Sequence, residues 1–478
     1  MISLKSKAIH AFVWSVSDKI VNQIGSLLVT MYLARLIGPE SFGFIGMLTI
    51  FMLLTDSVSG GFAHALVQRS KNLTPDDSNT VFYINVGWAL LMYGLLFVAA
   101  PLIAQFYRQP DLALIARVLF LMIIINSFSV VGRAKLTIMV DFKSQAIINT
   151  GSVLTGSILG LWLAINGYGY WALVWMGLSK ALSSMLGIWW FCRWVPQCKF
   201  SVDSFRLLFK FGSNLMLAGF VAAFVNNLYI ALIGRFYNAT QVGYYTQAAN
   251  MSNTLNGFVS SSLQGVTYPI MTSIKDERER LISIYRQLIS ITMLVSLPIL
   301  IGFAAVADSF IRLFLGEVWL PAVPVVVALC LARVVTPISA INMNILNAVG
   351  RSDLFLKVDL SKLPITLGAL YLALPYGVEG IAWASVVTSF IAFFINAYFP
   401  GKMFGFGGFA QLRVAMPYIL ATTVMFGLVS VLPWEPSFAS LAAKIFFGAT
   451  IYCLVVWAIG DVWSRKFIAL LRRRMDRS

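Results

Sequence analysis

Along this chain, apolar and polar residues alternate in blocks of some twenty residues, not every second or every third and fourth position. Long apolar runs follow one another from Ala8 to Gly460, separated by short polar breaks. A bilayer core of roughly 30 Å takes about 20 apolar residues per helical span. The pattern therefore predicts fourteen membrane-spanning helices, at 9–35, 42–67, 80–106, 112–132, 144–166, 168–192, 209–234, 242–270, 282–306, 320–347, 354–374, 378–399, 411–432 and 439–460, with twelve as the lower count. Because the runs are continuous and do not alternate residue by residue, they indicate helices and exclude a barrel. Glycine and proline punctuate the breaks, as in LIGPESFG, INGYGY, ALPYGVEG and LPWEPS.

Composition agrees with this reading. The 478 residues are 59% hydrophobic and 11% charged, with a mean hydropathy of +0.83, far from a soluble globular protein. The net charge of +16 raises the question of nucleic acid, but the basic residues gather at the ends of the apolar runs, where they set topology. With the N-terminus inside, 26 of the 35 Lys and Arg fall in inner loops and tails and four in outer loops, so both termini are expected to be cytoplasmic. An odd number of spans would place the basic tail RKFIALLRRRMDRS outside. That tail and VDSFRLLFKFG (202–212) mix basic and apolar residues at helical spacing, which predicts helices lying on the inner surface against anionic head groups. The N-terminal segment lacks a small-residue cleavage site and is expected to stay as an anchor. Four cysteines, Cys192, Cys198, Cys330 and Cys453, lack metal-ligand spacing and read as small fillers or unpaired thiols.

The chain also repeats itself. VGRAKLTIMVDF (131–142) and VGRSDLFLKVDL (349–360) share six of twelve residues at an offset of 218. Upstream, ARLIGPESFGFIG (34–46) matches GRFYNATQVGYYT (234–246) at offset 200, pairing Arg35 with Arg235 and Gly43 with Gly243. Arg117 and Arg333 also align, as do YGYWALVW (168–175) and YGVEGIAW (376–383). The expected organisation is two homologous, parallel six-helix lobes at 1–192 and 209–400, related by an axis along the membrane normal. A cytoplasmic linker occupies 193–208, an additional helix pair 411–460, and a basic cytoplasmic tail 461–478. The VGR…VD stretch is predicted to be a cytoplasmic turn between the fourth and fifth helix of each lobe, its Arg and Asp capping helix ends and fixing topology, with a gating contact between lobes as the sharper alternative. Pro269, Pro298, Pro337 and Pro364 are expected to kink the second lobe, leaving the first straighter.

No Walker A loop, metal cluster or soluble catalytic domain is visible, so no cofactor and no enzyme activity are expected. What remains is charge inside apolar spans, which is costly in lipid and points to function. The candidates are Asp18, Lys19, Asp56, Arg117, Lys180, Arg333 and Lys444. Lys19, Arg117 and Arg333 are candidate substrate-binding residues of a shared cationic space. The arginines could equally pair with acids or carbonyls inside their own lobes. Asp18 and Asp56 are candidate proton or ion-coupling sites. Lys180 and Lys444 are read as snorkelling or facing neighbouring helices, and His64 as a packing residue. Basic residues outnumber acids in the spans by five to two, and arginine forks suit phosphate oxygens, so a cationic cavity implies an anionic cargo.

The opening FVWSVSDKIVNQIGSLLVTMYLARLIGPESFGFIGML (12–48), with LIGPESFG after the first helix, resembles the polysaccharide transporter branch of the multidrug/oligosaccharidyl-lipid/polysaccharide flippases, the group of Wzx-type oligosaccharide flippases and the colanic acid exporter. The likeness covers nearly the whole chain. It implies movement of a polyprenyl-pyrophosphate-linked oligosaccharide across the bacterial cytoplasmic membrane, for exopolysaccharide, capsule or lipopolysaccharide assembly, with membrane lipids, a glycan polymerase and export machinery as partners. It also implies that helices 1, 2, 7 and 8 line a central cavity whose basic residues meet the pyrophosphate. Lys19 is the match on helix 1, although the related lipid II flippase carries an arginine beside an aspartate there and this chain reads Asp18-Lys19, in reversed order. Helices 7 and 8 supply amides instead of charge, notably Asn226, Asn227 and Asn253, suited to sugar hydroxyls or to bonds between helices. The alternative within transport is a drug/cation antiporter of the multidrug extrusion type, which would favour acids in the spans.

Overall fold

The computed structural model describes residues 4–460, without the side chains of 4–21, 211, 214–215, 218, 261–266, 268–269, 352–353 and 355–356. The described residues are predominantly helical, with no strand among them. They form two compact units, Met1–Thr246 and Gln247–Ser478. The first holds α1 (Leu4–Gln68), α2 (Pro75–Tyr107), α3 (Leu112–Leu119), α4 (Leu121–Ser127), α5 (Val130–Ile138), α6 (Phe142–Ile165), α7 (Trp171–Cys192) and α8 (Val202–Phe236). The boundary falls within α9 (Ala239–Ser273). The second unit continues through α10 (Arg278–Phe314), α11 (Val323–Arg333), α12 (Thr336–Ala348), α13 (Ser352–Ala373), α14 (Gly377–Phe404), α15 (Gly408–Val431) and α16 (Phe438–Ile459).

Among the described residues, ten stretches are long and apolar enough to cross a membrane, or eleven if Leu112–Ser127 and Val130–Ile138, bent by 41°, make one span. Two of the ten are double length. Asn22–Gln68 is broken at Gly38 (φ 73°), a left-handed conformation open to glycine, and Pro39 follows. Lys357–Phe404 is broken by a tight turn at Leu374–Tyr376 and Gly377 (φ 75°). Over the expected eighth span, α9 is a 35-residue helix too rich in amides and hydroxyls to meet the apolar criterion. The structure thus has an all-α, polytopic architecture.

The first unit is not the straighter one. Its segment 112–138 is three short helices, and the bend needs no proline: around Asn126-Ser127-Phe128-Ser129 the backbone tightens, with Ser129 N donating to Asn126 O at 2.9 Å and Ser127 Oγ to Ile124 O at 2.7 Å. In the second unit, Pro298 and Pro364 lie inside α10 and α13, whereas Pro337 opens α12 in the first turn, where a missing N–H costs nothing.

Segment 202–212 is helical, as its spacing predicts. It is the first part of α8, and Leu208 is buried against Phe62, Leu66 and Val81. The linker before it is held by α2, whose N-terminus carries a Thr74/Asp77 capping box and Pro75. Asn79 Oδ1 accepts from Gln197 N at 3.0 Å and Thr80 Oγ1 from Ser201 N at 3.1 Å.

Small residues set the packing of α8 on the second half of α1. A methyl group on Gly61 would come within 2.4 Å of Met216 and 3.0 Å of the Gly212 carbonyl oxygen, and Gly219 faces Ser57. Where α9 begins, the repeat meets itself. A methyl on Gly43 would lie 1.8 Å from Ala239 O, and one on Gly243 1.9 Å from Pro39 O, so equivalent residues of the two repeats make reciprocal contacts. Lipid offers no hydrophobic drive between helices, so such close backbone approaches carry much of the association.

In the second unit, polar side chains fasten the last helix pair to α10. Tyr285, Asn342 and Gln411 form a fully buried network in which Tyr285 Oη donates to Asn342 Oδ1, Asn342 Nδ2 donates to Gln411 Oε1 at 3.1 Å, and Gln411 Nε2 donates to Tyr285 Oη at 2.9 Å and Phe406 O at 3.0 Å. Tyr418 and Ser290 hydroxyls pair at 2.7 Å, and Tyr452 Oη donates to Leu294 O at 2.8 Å.

Candidate functional site

The sequence candidates fall into sharply different environments. Asp18 and Lys19 lie on α1, and their side chains are outside the described residues. Arg117, on α3, lays its guanidinium over the Phe97 ring at 4.6 Å; its Nε is 3.5 Å from Phe97 O, and its own carbonyl accepts from Tyr93 Oη at 3.4 Å. Its partners are thus the ring and backbone of α2.

Arg333, its repeat equivalent, ends α11. Its Nε is buried with no hydrogen-bond partner among the described residues. A guanidinium N–H is costly to leave unsatisfied, and Arg117 meets that cost at Phe97.

The amides also divide. Asn227 is buried, and its Nδ2 donates to Ala223 O at 2.8 Å, back along α8. Asn226, on the same helix, is exposed. In the second unit, Asn253 is exposed on α9. Lys444 is 8% exposed, its Nζ donating to Ser309 Oγ at 3.2 Å, which makes it one more tie between α16 and α10.

A set of charged residues in the first unit centres on Arg133, which the sequence pattern assigns to a turn. Arg133 sits on α5 and donates from Nη2 to the buried Ser184 Oγ of α7 at 3.1 Å. Asp56 of α1 and Lys180 of α7 both lie within its electrostatic reach. Asp56 is half-buried and, among the described residues, closes no hydrogen bond or ion pair. The signal in the sequence was the spacing of Lys180 and Ser184, one helical turn apart and so on one face of α7; nothing there showed that α5 would turn Arg133 toward them. On the same unit, Tyr229 of α8 and Tyr245 of α9 stack with ring centroids 6.3 Å apart and an interplanar angle of 8°.

Comparison with known proteins places these features in context. The family described as polysaccharide biosynthesis protein matches residues 32–324. The teichuronic acid biosynthesis protein TuaB of Bacillus subtilis (strain 168) is 27% identical over 76% of this chain and 76% of its own length. The succinoglycan biosynthesis transport protein ExoT of Rhizobium meliloti (strain 1021) is 26% identical over 79% of this chain and 76% of its own. The lipopolysaccharide biosynthesis protein WzxC of Escherichia coli (strain K12) is 24% identical over 82% of both. Among solved structures, the lipid II flippase MurJ in an inward closed conformation superposes with a TM-score of 0.78 over 96% of this chain and all of its own, at 16% identity. An inward-facing multidrug resistance MATE family transporter gives 0.62 over 84% of this chain and 98% of its own, also at 16%. The fold is shared with both.

Proposed function

The chain belongs to the polysaccharide biosynthesis protein family, and from that premise we propose that it is a flippase that carries a polyprenyl-pyrophosphate-linked oligosaccharide across the cytoplasmic membrane. One observation carries the reading. Relatives named for three different glycans share this chain over three-quarters of its length or more, so the common element is the step that moves the glycan and its carrier, not the sugar. The protein is then a transporter and not an enzyme, working by alternating access of its two repeats at 1–192 and 209–400. The positive-inside distribution supports fourteen spans with both termini in the cytoplasm and the additional pair at 411–460. Glycan polymerase and export machinery would receive the cargo.

Within this reading Arg333, with its buried and unspent Nε, is the first candidate for the cargo's anionic head. Lys19, Asn226 and Asn253 are candidates for the cavity wall, and Asp18 and Asp56 for ion coupling. Arg117 and Asn227 complete the set, but each already has a partner on its own or a neighbouring helix. The antiporter alternative rests on the lower MATE superposition and the shared fold alone.

The test is deletion of the gene in its host followed by mass spectrometry of membrane lipids. Accumulation of one complete polyprenyl-pyrophosphate-linked oligosaccharide is expected and would identify the sugar. Unchanged lipids together with altered sensitivity to cationic drugs would replace the flippase with the antiporter. In the complemented strain, Arg333→Ala should impair glycan export at normal protein level. Lys444→Ala, which removes a buried tie to Ser309, should act through protein level; equal export by both variants at matched protein would sink the role given to Arg333.

A further inference from the structure

Arg133 and Lys180 are like charges held within electrostatic reach of one another, on α5 and α7 of the first unit. Both are solvent-accessible, so a ligand can reach their donors. Of the hydrogen-bonding capacity present, little is used. Arg133 has five N–H donors and spends one on Ser184 Oγ at 3.1 Å. Lys180 makes no hydrogen bond or ion pair among the described residues. Asp56 balances one of the two cations from the Arg133 side without closing on it to bridging distance. One positive charge is therefore left over.

The chemistry of this set is specific. A guanidinium presents a planar fork that matches two oxygens of a phosphate, an ammonium adds a point charge, and Ser184 fixes the fork's orientation. Lys180 lies one turn from Ser184 on α7, the residue that holds Arg133. Gly156 lets α6 approach the Lys180 backbone, where a methyl would come within 3.0 Å of Lys180 Cβ, so the base of the lysine is fixed while its ammonium stays free. Two cations within reach of one another repel, and an oxyanion entering between them relieves that repulsion while using their free donors.

We propose that Arg133, Lys180 and Ser184 form an oxyanion site in the first unit that binds the phosphate group of a membrane-borne lipid. The site rests on the transport reading only in its source: the phosphate belongs either to a polyprenyl diphosphate carrier or to an anionic phospholipid head group. It adds a first-repeat site on α5 and α7, apart from the helices that the family resemblance assigns to the cavity.

The test titrates the purified full-length chain, in phosphatidylcholine nanodiscs, with polyprenyl diphosphate and separately with phosphatidylglycerol. Arg133→Gln and Lys180→Gln should each weaken one of the two ligands by tenfold or more, with Arg133→Lys intermediate because it keeps the charge and loses the fork. Loss confined to polyprenyl diphosphate assigns the site to the cargo. Loss confined to phosphatidylglycerol assigns it to the lipid head group. Unchanged affinity for both ligands in both folded variants overturns the site. Failure of the wild-type chain to bind polyprenyl diphosphate at all would count against the transport reading, and the phosphatidylglycerol titration would then judge the site by itself. Should Arg133→Gln fail to fold, Lys180→Gln, which breaks no hydrogen bond, decides.

Discussion

Residues 131–142 and 349–360 share half their letters and fold differently. In the first repeat, Val131, Gly132 and Arg133 are inside α5, and the chain turns only at Val140 (φ 58°), after which Asp141 caps α6 by accepting from Ser144 N at 3.0 Å and Ser144 Oγ at 2.7 Å. In the second, the turn comes roughly two helical turns earlier in the motif, at Gly350 (φ 78°), and α13 then runs through Asp359, whose carboxylate pairs with Lys362 at 2.7 Å. The two glycines consequently have unrelated jobs. A methyl on Gly132 would lie 2.3 Å from Ile188 Cγ2, whereas one on Gly350 would meet nothing within 4 Å. Gly132 is needed for closeness and Gly350 for its dihedral angle. What differs is the neighbour: α7 packs closely against α5 at Gly132 and holds Arg133 through Ser184.

This contrast can be broken in steps. Gly132→Leu should have the largest effect, overpacking the α5–α7 contact at a cost of about 3 kcal/mol; Ile188→Ala in the same chain should recover part of it, as read by thermal unfolding of the purified protein. Gly350→Ala should cost about 1–2 kcal/mol through the left-handed backbone alone, and Gly350→Asn less, since asparagine tolerates that region; equal melting of both would refute the dihedral argument. Asp141→Ala removes a helix cap worth about 1 kcal/mol, visible as faster amide exchange in the first turn of α6. Val140→Gly should be stabilising by about 0.5 kcal/mol, because a β-branched residue at positive φ is strained and glycine is not. Asp359→Ala should change stability by no more than about 0.3 kcal/mol, since its ion pair is exposed. A loss as large as that of Asp141→Ala would mean that the two aspartates act alike after all.

Much of the fold was legible because lipid imposes a length. Apolar segments at 142–165, 171–192 and 438–459 could be little other than spans, and the caps at Thr74 and Ser437 stand where polar residues precede apolar runs. The repeat at offset 200 was legible too, though not that Gly43 would meet Ala239 and Gly243 would meet Pro39. The candidate site was read less well. Arg133 follows a glycine near the end of an apolar run, the ordinary signature of a topology-setting residue, and only the continuation of α5 turns it toward Ser184. Arg117 and Arg333 are equivalent by alignment, yet one rests on Phe97 and the other keeps a buried, unbonded Nε.

The sequence by itself therefore determined where helices run, that they lie in a membrane and that the chain is built twice, because hydropathy over a bilayer's thickness and duplicated letters are one-dimensional properties. Which copy of a duplicated residue faces a neighbour was decided only by the tertiary structure. In lipid, apolar surface gains little by meeting other apolar surface, so helices settle by close backbone approach at small residues and by a few hydrogen bonds. Those contacts depend on rotation and register between segments far apart in the chain, as between Gly132 and Ile188, and neither is written in either segment alone.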